Sequence, residues 1–367
     1  MCSSDLRHRL QGQADDAAAE SQPSMGPSEC HLTIRSHGAG TLTFIVDDDA
    51  GSQWAVDYPT EEVGSLIHAI GTSPAMGWSS AIRSLVDLLL PPELRRLAPP
   101  ARYRLDLGAR LATVPWELLL RHIVNGDFGQ PVPVFRWPDG LHSPARKAGS
   151  ARNVLIIGNP LTTGTFTDEN PRLPAPEQGE QLGALARNLR LRGIDVSLGV
   201  GEDARSVLER LYGREIGILL LTGTSVREYP LPDGRRESGF VLSDGMFLTH
   251  AELRQMRTLP GLVILHDPRT GFSALSEEIA PDLLKLGVPC VVASAWGVAP
   301  ERALVYLEAL MLAVADGASF GDAHARAARL CFEDDPRNGG WAAFQAWGDP
   351  DFRLPAADAE NNSMPAF

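Results

Sequence analysis

Lysine is almost missing from this chain of 367 residues: it occurs only at Lys147 and Lys285, and arginine carries nearly all the positive charge. Acids outnumber bases, 46 against 33, for a formal net charge of −13. A surface of that sign repels phosphates, which argues against DNA or RNA as the main partner. Cysteine is also scarce. Cys2, Cys30, Cys290 and Cys331 share no C-x-x-C spacing, which speaks against zinc or a redox pair. Four in a chain this long do not make a disulfide scaffold. Cys290, in VPCVVAS, and Cys331, in a helical pattern, read as small core residues. No apolar run approaches the roughly 20 residues of a membrane span. Residues 1–29 are polar and hold no apolar segment of the signal-peptide kind, so the protein is expected to be cytoplasmic. They read as a disordered tail, as does 356–367.

Several catalytic signatures are absent too. The first strand-to-helix loop of the second half, GNPLTTGTFTDEN, has neither G-x-G-x-x-G nor G-x-x-x-x-G-K-[ST], and no acid stands where a ribose would be held. No G-x-S-x-G falls on a strand-to-helix turn, where a nucleophile elbow would need it. The triplet Asp47–Asp49 invites a calcium reading. An EF-hand loop starting at Asp47 would need Glu at its twelfth position, and Tyr58 stands there. A solvated hairpin turn is the better reading. No metal and no cofactor are expected.

What is present is a chain of two characters. HLTIRSH, TLTFIVD and SQWAVDY alternate like strands joined by tight turns. A helix broken at Pro91–Pro92 follows, then a strand (RYRLDLG), a short helix (VPWELLLRHI) and a strand (VPVFRW). This region, 30–140, is α+β in pattern. From 141 to 355 the pattern is cleaner. RNVLIIG, IDVSLG, EIGILLLTG, GLVILHD and VPCVVASAW are near-continuous apolar runs with amphipathic segments between them. Runs of that kind are buried on both faces, so βαβ alternation predicts an α/β fold with a doubly wound, mostly parallel sheet flanked by helices. Chemistry in such folds sits at the carboxyl ends of strands. Two ends carry polar residues: LLLTGTS, with Thr222, Thr224 and Ser225, and LVILHDPRTG, with His266, Asp267, Pro268 and Arg269.

Five stretches in order resemble one family. LLLPPELRRL with VPWELL, RNVLIIGNP with LPAPEQGEQLGAL, SGFVLSDGMFLTHAELRQMR, CVVASAW, and WAAFQAWGDPDFRL are similar to the CHAT domain, a caspase-like and separase-like family, over about residues 80–355. The resemblance implies a caspase-like fold. It also implies what is lost. Peptidases of the family end the third strand in a pattern like LHLATHG, whose second His is the general base; here Thr224 takes that place. They end the fourth in LSACETG, whose Cys is the nucleophile; here Pro268 takes that place, while Thr270 and Gly271 still match. After Trp296 the usual acid is missing as well, in Gly297-Val298-Ala299.

Cysteine proteolysis needs a thiolate and a base. Proline supplies no nucleophile and no N–H for an oxyanion. The expectation is therefore a pseudoprotease that binds a protein or peptide; the resemblance implies an active CHAT protease or a sensor as partner and a bacterial defence setting. Thr222, Ser225, His266, Asp267, Arg269 and Trp296 are its candidate cleft residues. The strands from His31 to Tyr58 offer a further docking edge. The alternative is a rebuilt hydrolase with Thr224 or Ser225 as nucleophile and His266 as base.

Overall fold

The computed structural model describes residues 29–37, 40–47, 51–72, 78–97, 100–125, 130–141, 151–160, 175–231, 233–243, 246–268, 275–336 and 339–355. Expectations that fall on the N-terminal tail up to 28, on Asp48 and Asp49, on Arg269 to Gly271, or on the C-terminal tail lie outside these residues.

The N-terminal strands form as the alternation predicts: β1 (Cys30–His37), β2 (Thr41–Val46) and β3 (Gln53–Asp57). Helices α1 (Thr60–Thr72) and α2 (Trp78–Leu89) follow, then β4 (Tyr103–Leu107), α3 (Trp116–Asn125) and β5 (Val134–Pro138). The second half supplies β6 (Val154–Gly158), α4 (Ala175–Leu191), β7 (Val196–Val200), α5 (Ala204–Gly213) and β8 (Ile218–Thr222). Next come β9 (Ser225–Pro230), β10 (Arg236–Ser243), β11 (Met246–Leu248) and β12 (Leu262–His266). A π-helical turn, Leu275–Ile279, runs into α6 (Ala280–Leu286). The chain then adds β13 (Cys290–Ser294), α7 (Pro300–Ala315), α8 (Phe320–Asp334) and β14 (Phe344–Gly348).

One eleven-stranded sheet runs through both halves in the order β3-β2-β1-β4-β5-β14-β13-β12-β8-β6-β7. The parallel centre is built from the apolar runs. Every residue of β8, β12 and β13 is buried. Their side chains alternate between two cores. On β12, Leu262 and Ile264 face the core under α4, α7 and α8, while Val263 and Leu265 face the one under α5 and α6. Strand β14 is antiparallel to β13 and parallel to β5, so both of its edges are covered. A separate antiparallel sheet, β11-β10-β9, follows β8. Cys290 and Cys331 are buried, as expected of core residues, and burial pushes the Cys331 thiol up to about 12.

Two glycines are fixed by space. A Cβ on Gly348, at φ +101°, would stand 2.0 Å from the Pro289 carbonyl oxygen, so only glycine turns the chain after β14. A Cβ on Gly223 would stand 2.9 Å from Phe240 Cζ, where β10 passes the end of β8.

Candidate functional site

The two strand ends singled out by sequence are neighbours. β8 and β12 run parallel, with Thr222 level with His266. Thr222 Oγ1 and His266 Nδ1 share a hydrogen bond of 2.9 Å. The backbone continues the join: Gly223 N–H donates to His266 O at 3.0 Å, and Asn159 N–H donates to Thr222 O at 2.8 Å. Asn159 sits at φ +40°, a conformation asparagine tolerates better than most residues.

One residue on, the side chains turn to the other side. Asp267 Oδ2 accepts from the Ser225 N–H at 2.9 Å and from its hydroxyl at 2.6 Å. The Asp267 N–H donates to Ser294 Oγ at 2.9 Å. One buried aspartate therefore ties the start of β9 to the end of β12, and its own backbone ties that end to β13. Two donors compensate the desolvated carboxylate, as a buried charge requires.

His266 is 3 % exposed. Burial lowers its pKa to about 4, although the Asp267 carboxylate pulls the other way. Its ring faces Phe344 at 5.7 Å, and Phe344 stacks on Tyr306 at 4.1 Å. The imidazole thus points into the larger core, with Nδ1 on Thr222. Ser225 has its hydroxyl on Asp267. The arrangement brings serine to aspartate and histidine to threonine, and it does not bring serine to histidine.

Thr222, Ser225, His266, Asp267 and Trp296 are all buried, Trp296 among the larger core. Thr224 and Pro268 are half-buried at the rim. The Thr224 carbonyl accepts from the Val241 N–H at 2.9 Å, which places β10 beside it. Arg269 lies outside the described residues. Among the described residues no three His, Cys, Asp or Glu side chains are placed to hold a metal ion.

Sequence reasoning missed Ser294, the polar residue inside VVASAW; its place in an otherwise apolar strand was the available signal. It also missed a clamp across the rim. Arg227 on β9 meets Glu277 at 2.7 Å and Glu278 at 2.7 Å, both on the π-helical turn after β12. Burial raises the Glu277 carboxyl, against the pull of Arg227.

Asp267→Ala should lower the unfolding free energy by about 1–3 kcal/mol, since Ser225 then loses its acceptor. Urea denaturation measures the loss. Amide exchange along β9 should rise with it, and unchanged exchange there would show that the aspartate does not hold the strand.

A family model described as CHAT domain matches residues 79–349. No curated protein matches the chain. Two solved structures of the Saccharomyces cerevisiae separase–securin complex, at 3.0 Å and 2.6 Å, are similar to it. Their TM-scores are 0.54 and 0.55 at 10 % identity. The alignments cover 89 % and 88 % of this chain and 30 % of those chains, so this chain spans under a third of the separase chains it matches. At that identity the likeness is one of fold, a caspase-like α/β sheet. No helix among the described residues is long and apolar enough to cross a membrane. The family match spans well over half of the residues and includes both strand ends, and the chain belongs to the CHAT domain family.

Proposed function

We propose that this chain is a catalytically inactive CHAT domain, a pseudoprotease that holds a protein or peptide partner without cutting it. The observation that carries this reading is the pair of residues at the facing strand ends: Thr224 where the family's base stands, and Pro268 where its thiolate stands. Among the described residues, the nearby groups offer no substitute. A general base must reach the proton that it removes. His266 is buried, bonded to Thr222 and neutral down to about pH 4, while the Ser225 hydroxyl is held by Asp267.

The partner is an extended segment lying over the rim at Thr224 and Pro268, offered by an active CHAT protease or a sensor. The separase relatives were solved with a protein partner, securin, which supports protein recognition on this fold. A cytoplasmic role in bacterial defence fits the family resemblance.

The test is a sensitive peptidase assay on the purified chain, alone and with its co-purified partner, together with a serine-directed phosphonate. We expect turnover at the level of buffer and no covalent label on Thr224 or Ser225. Turnover that His266→Ala abolishes, or a phosphonate adduct lost in Ser225→Ala, would overturn the reading in favour of a rebuilt hydrolase.

A further inference from the structure

The family match begins at residue 79, but the sheet does not. Strands β1, β2 and β3 precede it and carry the sheet three strands beyond β4, so that β3 forms its outer edge among the described residues. The register shows which backbone groups of β3 are already used. Val46 N–H donates to Ser52 O at 2.9 Å, and Tyr58 N–H donates to Gly40 O at 2.9 Å. Hydrogen-bonded pairs alternate in an antiparallel ladder, so Trp54 and Val56 bond to Phe44 and Leu42. Gln53, Ala55 and Asp57 therefore turn their N–H and C=O groups away from β2, and their side chains are exposed.

Edge strands are ordinarily guarded by lysine, proline or a bulge. β3 reads QWAVD and pairs without a register shift, so it has none of these. The opposite edge differs: on β7, the Val196 carbonyl accepts from Arg190 Nη2 at 2.8 Å. The open edge of β3 also ends in negative charge. Asp57, Glu61, Glu62 and Arg110 line a concavity of about 850 Å³ where β3 passes into α1. None of the three carboxylates enters an ion pair among the described residues. Glu61 and Glu62 lie in the first turn of α1, where acids suit the helix dipole. Asp57 lies on the strand, outside that explanation.

We propose that the outer edge of β3, with this acidic end, is a docking surface for an extended, basic segment of a partner protein, added to the sheet as a further strand. Three outward N–H and C=O pairs suit one short strand, the mode in which main-chain bonds give affinity and flanking side chains give specificity. Three carboxylates against the single Arg110 favour lysine or arginine in that strand. A second copy of this chain is the poorer occupant, because it brings a net charge of −13 to the same surface.

Fluorescence anisotropy on the full chain at physiological salt tests the idea with three labelled peptides. One alternates lysine and valine, one alternates glutamate and valine, and one is the lysine–valine peptide N-methylated on alternate amides. The plain lysine–valine peptide should bind saturably, and the other two at least about tenfold more weakly. Ala55→Pro removes an N–H that points outward and leaves the ladder to β2 whole, so it should weaken binding about tenfold. Glu61→Lys with Glu62→Lys should do the same. No binding, or binding that neither N-methylation nor Ala55→Pro changes, would overturn the proposal. Should Ala55→Pro unfold the hairpin, the N-methylated peptide on the unaltered chain still decides. Self-association by sedimentation that Ala55→Pro removes would assign the edge to a second copy, and so overturn it too.

Discussion

Glu117→Ala should lower the unfolding free energy by about 3–5 kcal/mol, the usual range when one partner of a buried ion pair is removed. Arg136 on β5 is fully buried, and Glu117 on α3 is 3 % exposed. The guanidinium meets the carboxylate through two bonds, Nε to Oε1 at 2.8 Å and Nη2 to Oε2 at 2.6 Å. Its other N–H groups reach the Ala112 carbonyl at 2.7 Å and the Val114 carbonyl at 2.9 Å, and it lies over the Trp347 ring. Removing the carboxylate leaves an arginine that cannot lose its charge and cannot reach water. Guanidinium denaturation measures the loss. Replacing both partners with apolar residues of similar volume should restore much of it, because the pair's desolvation cost disappears with its attraction. A Glu117→Ala loss below about 1 kcal/mol would show that water reaches the pair. The position adds a second consequence. Arg136 is level with Trp347, one of the two register pairs that join β5 to β14 and so the N-terminal half of the sheet to the rest. Amide exchange in β5 and β14 should therefore respond before exchange in β8 or β12.

Between pH 6.5 and 4 the protein should lose stability through two histidines. Burial lowers both His266 and His324 from 6.5 to about 4. The unfolded chain takes up these protons first, so stability is fully present above pH 6.5 and declines as the pH falls towards 4. Each displacement corresponds to about 3 kcal/mol. The geometry agrees with neutral rings. His324 Nδ1 shares a 2.6 Å hydrogen bond with the Tyr306 hydroxyl, and its ring packs edge-on against Phe135. Denaturation midpoints at pH 7.5, 5.5 and 4.5 provide the measurement. His266→Gln and His324→Gln should each flatten the slope by about half, whatever either does to stability at pH 7.5. A wild-type curve level down to pH 5 would mean that the rings accept protons in the folded state without penalty.

The central strands were legible because each is a short apolar run bounded by polar loops, and burial on both faces leaves little else for VLIIG, ILLLT or CVVAS to do. The β9-β10-β11 sheet has no clear strand signal in the sequence. SVREYP and RRESGFVLS mix charge and apolar residues without clean alternation, and their pairing depends on β10 packing over Gly223. FQAWG reads as part of a family ending and carries no strand signal; tryptophan and glycine carry little local signal, and antiparallel pairing to β13 is a tertiary choice. At the candidate site the sequence placed Thr222 and His266 on facing strand ends, but could not show which way the imidazole turns. Alternation carries His266 to the larger core and Asp267 to the opposite side, and only the end of β12 at residue 266 decides where alternation stops. The Ser225–Asp267 bond and the Glu117–Arg136 pair join residues whose separation in sequence follows no period, so they become visible only once the strands are laid side by side.

Strand β14 also sets the order in which the molecule can be completed. Among the described residues it comes last in chain order, and it lies between β13 and β5, which come from opposite halves of the family region. Until it arrives, the ladder groups of β5 and β13 that it will satisfy have no partner, and the sheet exists as two open pieces. Closing a sheet from segments so distant in sequence carries a large loop-closure entropy, and folds dominated by such pairings form slowly. A chain truncated before Phe344 should therefore expose two aggregation-prone edges at once. During synthesis, the half ending at Pro138 must wait for β14, which makes this step the one at which a chaperone would matter most.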